Sequence, residues 1–132
     1  MHRLALIPLG LLMTVACEGE VSWTLENDGF ERAHLWVAEF EEEDGTRVDP
    51  DGARTASHVN EFEEPALFTL NATDDYGGFW SAVCEVAIDE ADAEGGSVSY
   101  GISFDGQTWH RARPLGEGAV FGCTCGTEAC PD

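Results

Sequence analysis

The sequence predicts an all-β fold, a small antiparallel β-sandwich, and three observations predict it. Short runs with apolar residues at every second position recur from Val21 onward, which is the period of a half-buried strand. Clusters of Gly, Asn, Asp and Pro separate the runs at the spacing of a sandwich. No segment carries a convincing apolar period of 3.6.

Strands are expected at 21–25 (VSWTL), 33–40 (AHLWVAEF), 54–60 (RTASHVN), 66–72 (ALFTLNA) and 79–88 (FWSAVCEVAI). Three more follow at 97–104 (SVSYGISF), 107–113 (QTWHRAR) and 119–125 (AVFGCTC). The turns are Asn27-Asp28-Gly29, Asp44-Gly45, Asp49-Pro50-Asp51-Gly52, Asp74-Asp75-Tyr76-Gly77-Gly78 and Asp105-Gly106. Gly tolerates positive φ, as Asn and Asp do less readily, and this makes them turn formers. The stretch 89–96 (DEADAEGG) reads as one helical turn or as an acidic loop.

Strand 97–104 has the clearest alternation. Val98, Tyr100, Ile102 and Phe104 share one face, and Ser97, Ser99, Gly101 and Ser103 the other. In 79–88 the apolar face is Trp80, Ala82, Cys84, Val86 and Ile88; in 119–125 Phe121, Cys123 and Cys125 share a face. Trp23, Trp36, Trp80 and Trp109 are mostly core, since strand-borne aromatics bury large areas.

Asp105-Gly106 is a preferred pair for a two-residue hairpin turn. That turn sets Phe104 opposite Gln107 and Ile102 opposite Trp109, so Trp109 is expected in the core. A three-residue loop would shift the register by one and turn Trp109 outward as a sugar-stacking platform. Trp109 and Asp105 are therefore the candidate ligand-binding residues.

Cys84, Cys123, Cys125 and Cys130 read as two disulfides in an exported domain. Cys84 is expected to pair with Cys123 or Cys125, and Cys130 with the one left over. Cys123 and Cys125 leave the same strand face in parallel and do not join each other. A zinc site from Cys123, Cys125, Cys130 and His110 fits poorly, because the one-residue gap is shorter than the usual ligand spacing.

Residues 1–16 have the build of an export signal: Arg3, an apolar run from Leu4 to Val15, then Ala16. The run is too short to cross a bilayer, which takes about 20 apolar residues. Met13-Thr14-Val15-Ala16-Cys17 resembles the lipobox of bacterial lipoproteins, with Thr14 where that family usually has Leu. The resemblance implies cleavage before Cys17 and acylation of Cys17, which anchors the chain in the lipid bilayer. Glu18 stands where many inner-membrane lipoproteins have Asp, so the outer membrane is the expected destination, on its periplasmic or surface face. Residues 17–20 are then the lipidated N-terminus and a short tether, and 21–132 a single domain.

The chain has 26 acidic and 6 basic residues, a net charge of −20, and no lysine. Binding to nucleic acid needs a basic footprint and is excluded. The expected partner, besides the bilayer, is a basic envelope protein or a glycan. The acidic clusters read as solvated surface that binds calcium weakly at best, since none supplies an ordered series of oxygen ligands. No metal and no cofactor is expected.

Ser103-Phe104-Asp105-Gly106-Gln107-Thr108-Trp109 resembles the S-x-D-G-x-x-W hairpin of discoidin-type carbohydrate- and lipid-binding β-sandwiches. It is also similar to the Asp-box of sialidase propellers, one residue short between acid and glycine. The likeness runs only from Ser97 to Trp109, and implies either a shared ligand-binding sandwich or a stable hairpin that any extracellular sandwich uses.

No catalysis is expected. Ser99 lacks a G-x-S-x-G frame, His34, His58 and His110 have no motif around them, and carboxylates are too abundant to single out a pair. The expectation is thus a lipid-anchored binding or structural module of the bacterial envelope. A carbohydrate-binding sandwich, and a calcium-dependent hydrolase or inhibitor, are the alternatives.

Overall fold

The computed structural model describes residues 19–40, 45–60, 62, 65–88, 97–116 and 119–132. The expected signal segment, the lipidation site Cys17, Asp44 and the stretch 89–96 lie outside the described residues. Within them ten strands form: β1 (Gly19–Asn27), β2 (Ala33–Val37), β3 (Arg47–Val48), β4 (Ala53–Asn60) and β5 (Ala66–Thr73). The second five are β6 (Phe79–Ala87), β7 (Ser97–Phe104), β8 (Arg113–Pro114), β9 (Ala119–Cys125) and β10 (Glu128–Ala129).

They make two sheets, one in the order β4-β1-β7-β8 and one in the order β10-β9-β6-β5-β2-β3. Every pair is antiparallel except β1 and β7, which run parallel with Val21, Trp23 and Leu25 beside Val98, Tyr100 and Ile102. The fold is all-β and disulfide-linked, as the alternation predicts.

The core is built from one face of each long strand. Val21, Trp23, Leu25, Val98, Tyr100, Ile102 and Phe104 come from the first sheet; Leu35, Val37, Phe68, Leu70, Ala82, Cys84 and Val86 come from the second. Trp23 is its centre, with ring centroids 5.7 Å from Phe68 and 5.1 Å from Tyr100. Each Val, Leu, Ile or Phe among them contributes about 1.5–3 kcal/mol when buried.

Four local expectations need correction. The first strand begins at Gly19, so residues 19 and 20 are β1 and not tether. The second ends at Val37: Ala38 N–H still donates to the Thr69 carbonyl in register, but the Glu39 carboxylate then takes Thr69 N–H and Oγ1–H at 2.6 and 3.1 Å. A side chain that bonds backbone in this way competes with the ladder.

The third correction is the expected strand 107–113, of which only Arg113 belongs to a strand. Asp105 holds Gln107 and Thr108 in a turn, and Arg111 N–H donates to the Pro131 carbonyl instead of to β7. The fourth is Phe121, which is 61% exposed and does not share the face of Cys123. Between Glu85↔Gly122 and Val86↔Val120 the β6·β9 register slips by one, leaving Phe121 as the extra residue of a bulge. Val120 is rotated toward the core in its place.

Cys84 and Cys123 lie opposite each other in that same pairing and are joined, with Cα atoms 4.0 Å apart. Cys125 and Cys130 are joined across the β9–β10 turn, where Gly126 supplies φ +73°. All four sulfurs are therefore taken, and no thiolate is left for zinc.

In the chain-entropy model, the Cys84–Cys123 link, which spans 39 residues, stabilises by about 4 kcal/mol. The Cys125–Cys130 link, which spans 5, stabilises by about 2 kcal/mol. Denaturant unfolding of C84S/C123S is thus expected to show the larger loss and C125S/C130S the smaller. Peptide mapping without reductant should recover the two pairs as joined here.

Candidate functional site

Asn27, the last residue of β1, organises one end of the sandwich. Its side chain is fully buried, and all three of its polar contacts are to backbone. Nδ2 donates to the carbonyls of Glu31 and Val48, both at 2.9 Å, and Oδ1 accepts Gly29 N–H at 2.9 Å. Its backbone also bonds both ways to the 49–52 turn, through Gly52 O and Asp51 N–H. A buried carboxamide this well satisfied escapes the desolvation cost of about 1–3 kcal/mol that an unpaired group would carry.

The residue after it meets the far loop. Asp28 N–H donates to the Phe104 carbonyl at 2.7 Å, continuing the β1·β7 pairing into the loops. A Cβ on Gly29 would stand 3.2 Å from the Gly106 Cα, so the two loops touch backbone to backbone. Gly106 has φ +98°, the left-handed region that favours glycine.

The β5–β6 turn completes this end. Asp74 Oδ1 accepts Tyr76 N–H at 3.0 Å and Gly78 N–H at 2.7 Å. A side chain at Gly78 would run into the Trp80 ring. The turn is tied to the β1–β2 loop by Arg32–Asp75 at 3.4 Å and by Tyr76 Oη–H donating to Glu31 at 3.5 Å, and to β2 by His34–Asp75 at 3.6 Å.

Between the three loops lies an open cleft of about 440 Å³, lined by Asp28, Glu31, Arg32, Asp74, Asp105 and, at its rim, Phe30. Phe30 is 98% exposed, and Tyr76, whose hydroxyl bonds the adjacent Glu31, is also exposed. Arg32 already has Asp75 as its partner, so the cleft is negative. Its four carboxylates are not equivalent. Asp74 and Asp105 are committed to turn N–H groups, whereas among the described residues the Asp28 carboxylate has no hydrogen bond and Glu31 has only the long one to Tyr76.

Sequence reasoning named Asp105 and Trp109 as candidates, and the structure separates them. Asp105 lines the cleft. Trp109 is fully buried, 5.5 Å from Phe104, and its Nε1–H donates to the Trp80 carbonyl at 3.2 Å. An indole held this way offers no face to a ligand. Its register differs from both expected ones: Trp109 pairs with Phe104 across a four-residue loop, 105–108. Relative to the two-residue turn this adds two residues, which keeps Trp109 on the same face.

The reason is the Asp105 side chain. Its Oδ1 takes the N–H groups of Gln107 and Thr108 at 2.8 and 2.9 Å, and its Oδ2 lies 2.8 Å from His110 Nε2. His110 Nδ1 faces the Asp132 carbonyl oxygen at 3.0 Å. With an acceptor at each nitrogen, the imidazole satisfies both only as the doubly protonated cation. The Asp105 bond and then the Asp132 bond raise its pKa against partial burial, and the charges of Asp105 and Asp28 add to the effect. For Asp105 burial opposes the charged form, but His110 and the two N–H groups outweigh it and hold the carboxyl below its ordinary value. Neither nitrogen of His110 is presented to a substrate as a base.

Among the described residues no group of three or more His, Cys, Asp and Glu side chains is placed to hold a metal ion. Phe30, Glu31 and Tyr76 were not singled out by sequence reasoning. For the two rings the only signal was an aromatic residue directly after a turn former, as in Asp28-Gly29-Phe30 and Asp74-Asp75-Tyr76; Glu31 had none.

The signs of the two shifts set a pH window. His110 stabilises the fold fully below about 6.5, its ordinary value, and loses that contribution as pH rises through its raised pKa. Asp105 stabilises it above about 3.8, its ordinary value, and loses that contribution as pH falls through its lowered pKa. The pair therefore supports the fold best between about pH 4 and 6.5. His110→Gln should flatten the alkaline side of a melting temperature against pH curve, with little change on the acid side beyond Asp105's own share. The chain matches no protein-family model, no curated protein and no solved structure, so its function is read from the chemistry of this end alone.

Proposed function

We propose that this chain is a lipid-anchored binding module of the bacterial envelope, held in the outer membrane through Cys17 and recognising a basic envelope protein at the Asn27 end. The observation that carries the binding role is Phe30, a large apolar ring 98% exposed at the rim of a negative cleft. An exposed aromatic on a braced loop loses little entropy when it docks, and aromatic anchors dominate interface energies. Asp28 and Glu31, the carboxylates least committed to the fold, give a cationic side chain its counter-charge. The anchor is supported by the Met13–Cys17 segment and by acyl-chain energetics, since several chains hold a protein far better than one.

A second reading, glycan binding, is favoured by the pair of exposed rings Phe30 and Tyr76. With Trp109 buried, a sugar platform falls to these two. The role proposed is binding in either case, not catalysis.

Two measurements test it. Cys17→Ser should abolish labelled palmitate incorporation and release the chain from the membrane fraction; unchanged labelling refutes the anchor. For the site, the full chain is titrated with an arginine-rich peptide at increasing salt. Affinity should fall with ionic strength, and Phe30→Ala should weaken it roughly 30-fold, the effect of losing an aromatic hot spot. Salt-insensitive binding to a glycan array, lost in Phe30→Ala or Tyr76→Ala, would favour the glycan reading instead.

A further inference from the structure

The two sheets have four outer strands, and they are not alike. β3, β8 and β10 are two residues long, whereas β4 has eight. β4 pairs with β1 over eight consecutive positions, Glu26↔Ala53 to Gly19↔Asn60, with no bulge. Among the described residues no backbone group of Ala53 to Asn60 bonds to any other segment.

A long straight edge presents unpaired N–H and C=O groups to any chain that can lie beside it, and proteins usually blunt such edges with Lys, Pro or a bulge. β4 has none of the three. Its single full charge is turned away, because Arg54 reaches across to the Leu35 carbonyl at 3.1 Å. On the same inner side His58 stacks on Phe40 at 5.6 Å, which braces the strand from beneath. On the outer side Ala53, Thr55, Ser57 and Val59 are exposed, small or β-branched, and uncharged.

We propose that β4 is a docking edge that takes an extended segment of the same basic partner as an added antiparallel or parallel strand. This inference rests on the reading that the partner is cationic. Charge selects the occupant. Exposed Asp49 and Asp51 stand before the strand, and the sequence after it continues with Glu61, Glu63 and Glu64. A second copy paired antiparallel along β4 would bring Asp49 and Asp51, before one strand, toward the acidic sequence Glu61, Glu63 and Glu64 that follows the other, so that acids approach acids at both ends. With a net charge of −20, self-pairing is opposed again. A strand with Lys or Arg at its two ends is attracted at both. The edge also leads to the cleft, since the 49–52 turn that precedes β4 is bonded to Asn27.

The test is backbone hydrogen exchange on the full chain in detergent micelles, with a synthetic probe peptide. The probe has an alternating Val-Thr core as long as β4, flanked by Lys-Arg at both ends; a control has the same core flanked by Ser-Gly. The expected result is slowing of exchange by tenfold or more at alternate amides of β4 with the Lys-Arg probe, and little with the control. Ser57→Pro should abolish that protection. Phe30→Ala, which leaves the strand intact, should leave protection at saturating probe and change only the concentration needed.

Three results overturn the proposal. If the probe binds and shifts Phe30 and Glu31 while β4 exchange is unchanged, the edge is not the docking surface, and the cleft reading stands. If β4 is protected without probe as protein concentration rises, the occupant is a second copy. If the control protects β4 as well as the basic probe does, charge does not select the partner and the cationic reading falls too.

Discussion

The parallel run of β1 beside β7 is the constraint on which the rest of this molecule depends. Parallel neighbours cannot be joined by a hairpin, so the chain between them must cross away and return. Here the intervening chain supplies β4 on the far side of β1 and most of the second sheet. The arrangement puts Trp23 against Tyr100 in the middle of the core and ends with Asn27 beside Phe104. From there both strands leave the sheet at one level, and the Asp28 N–H bond to the Phe104 carbonyl carries the pairing into the loops. The cleft exists because these two loops, distant in sequence, leave the sheet side by side.

Asn27 makes that exit rigid. An apolar residue at this buried position would fill space but leave Gly29 N–H and the carbonyls of Glu31 and Val48 without their partner. An Asp would accept from Gly29 but has no N–H to give the two carbonyls. Only a carboxamide provides the donors and the acceptor together. One side chain therefore sets the β1–β2 loop, and with it the place of Phe30, against the β3–β4 turn.

What was legible in the sequence follows from where each feature's cause lies. The faces of β6 and β7 could be read because alternation is a local property: Val98, Tyr100, Ile102 and Phe104 are all at or below 1% exposure. The burial of Trp109 was legible for the same reason, although its register was not. The loop length is set by Asp105 bonding to Gln107, Thr108 and His110, and the usual turn preference of Asp-Gly does not contain that network. Phe121 misled because a bulge is a property of two strands together, and period-two counting sees only one. Strand direction leaves no mark on alternation, so the parallel pair was invisible. The cleft was hidden likewise. Each of its three loops was recognised as a turn, but nothing local says that Asp28, Asp74 and Asp105 share one end.

The acidic composition acquires a structural logic at that end. Asp is favoured in turns because its carboxylate accepts the N–H groups that a reversing backbone leaves unpaired. Asp74 and Asp105 both do this, each accepting two N–H groups through one oxygen. A hydrogen bond to an N–H stabilises a carboxylate without cancelling its charge. Every turn built this way therefore adds a negative charge to the loop surface, and only His110 among the described neighbours of Asp105 returns a positive one. The long strands, by contrast, have uncharged small residues on much of their outer faces, as in β4 and β7. Charge thus collects where the chain turns, and at the Asn27 end three such turns converge around an exposed phenylalanine. The same chemistry that lets the backbone reverse direction there makes this end of the sandwich negative, with Asp74 and Asp105 holding the turns and Asp28 and Glu31 left beside them at the cleft.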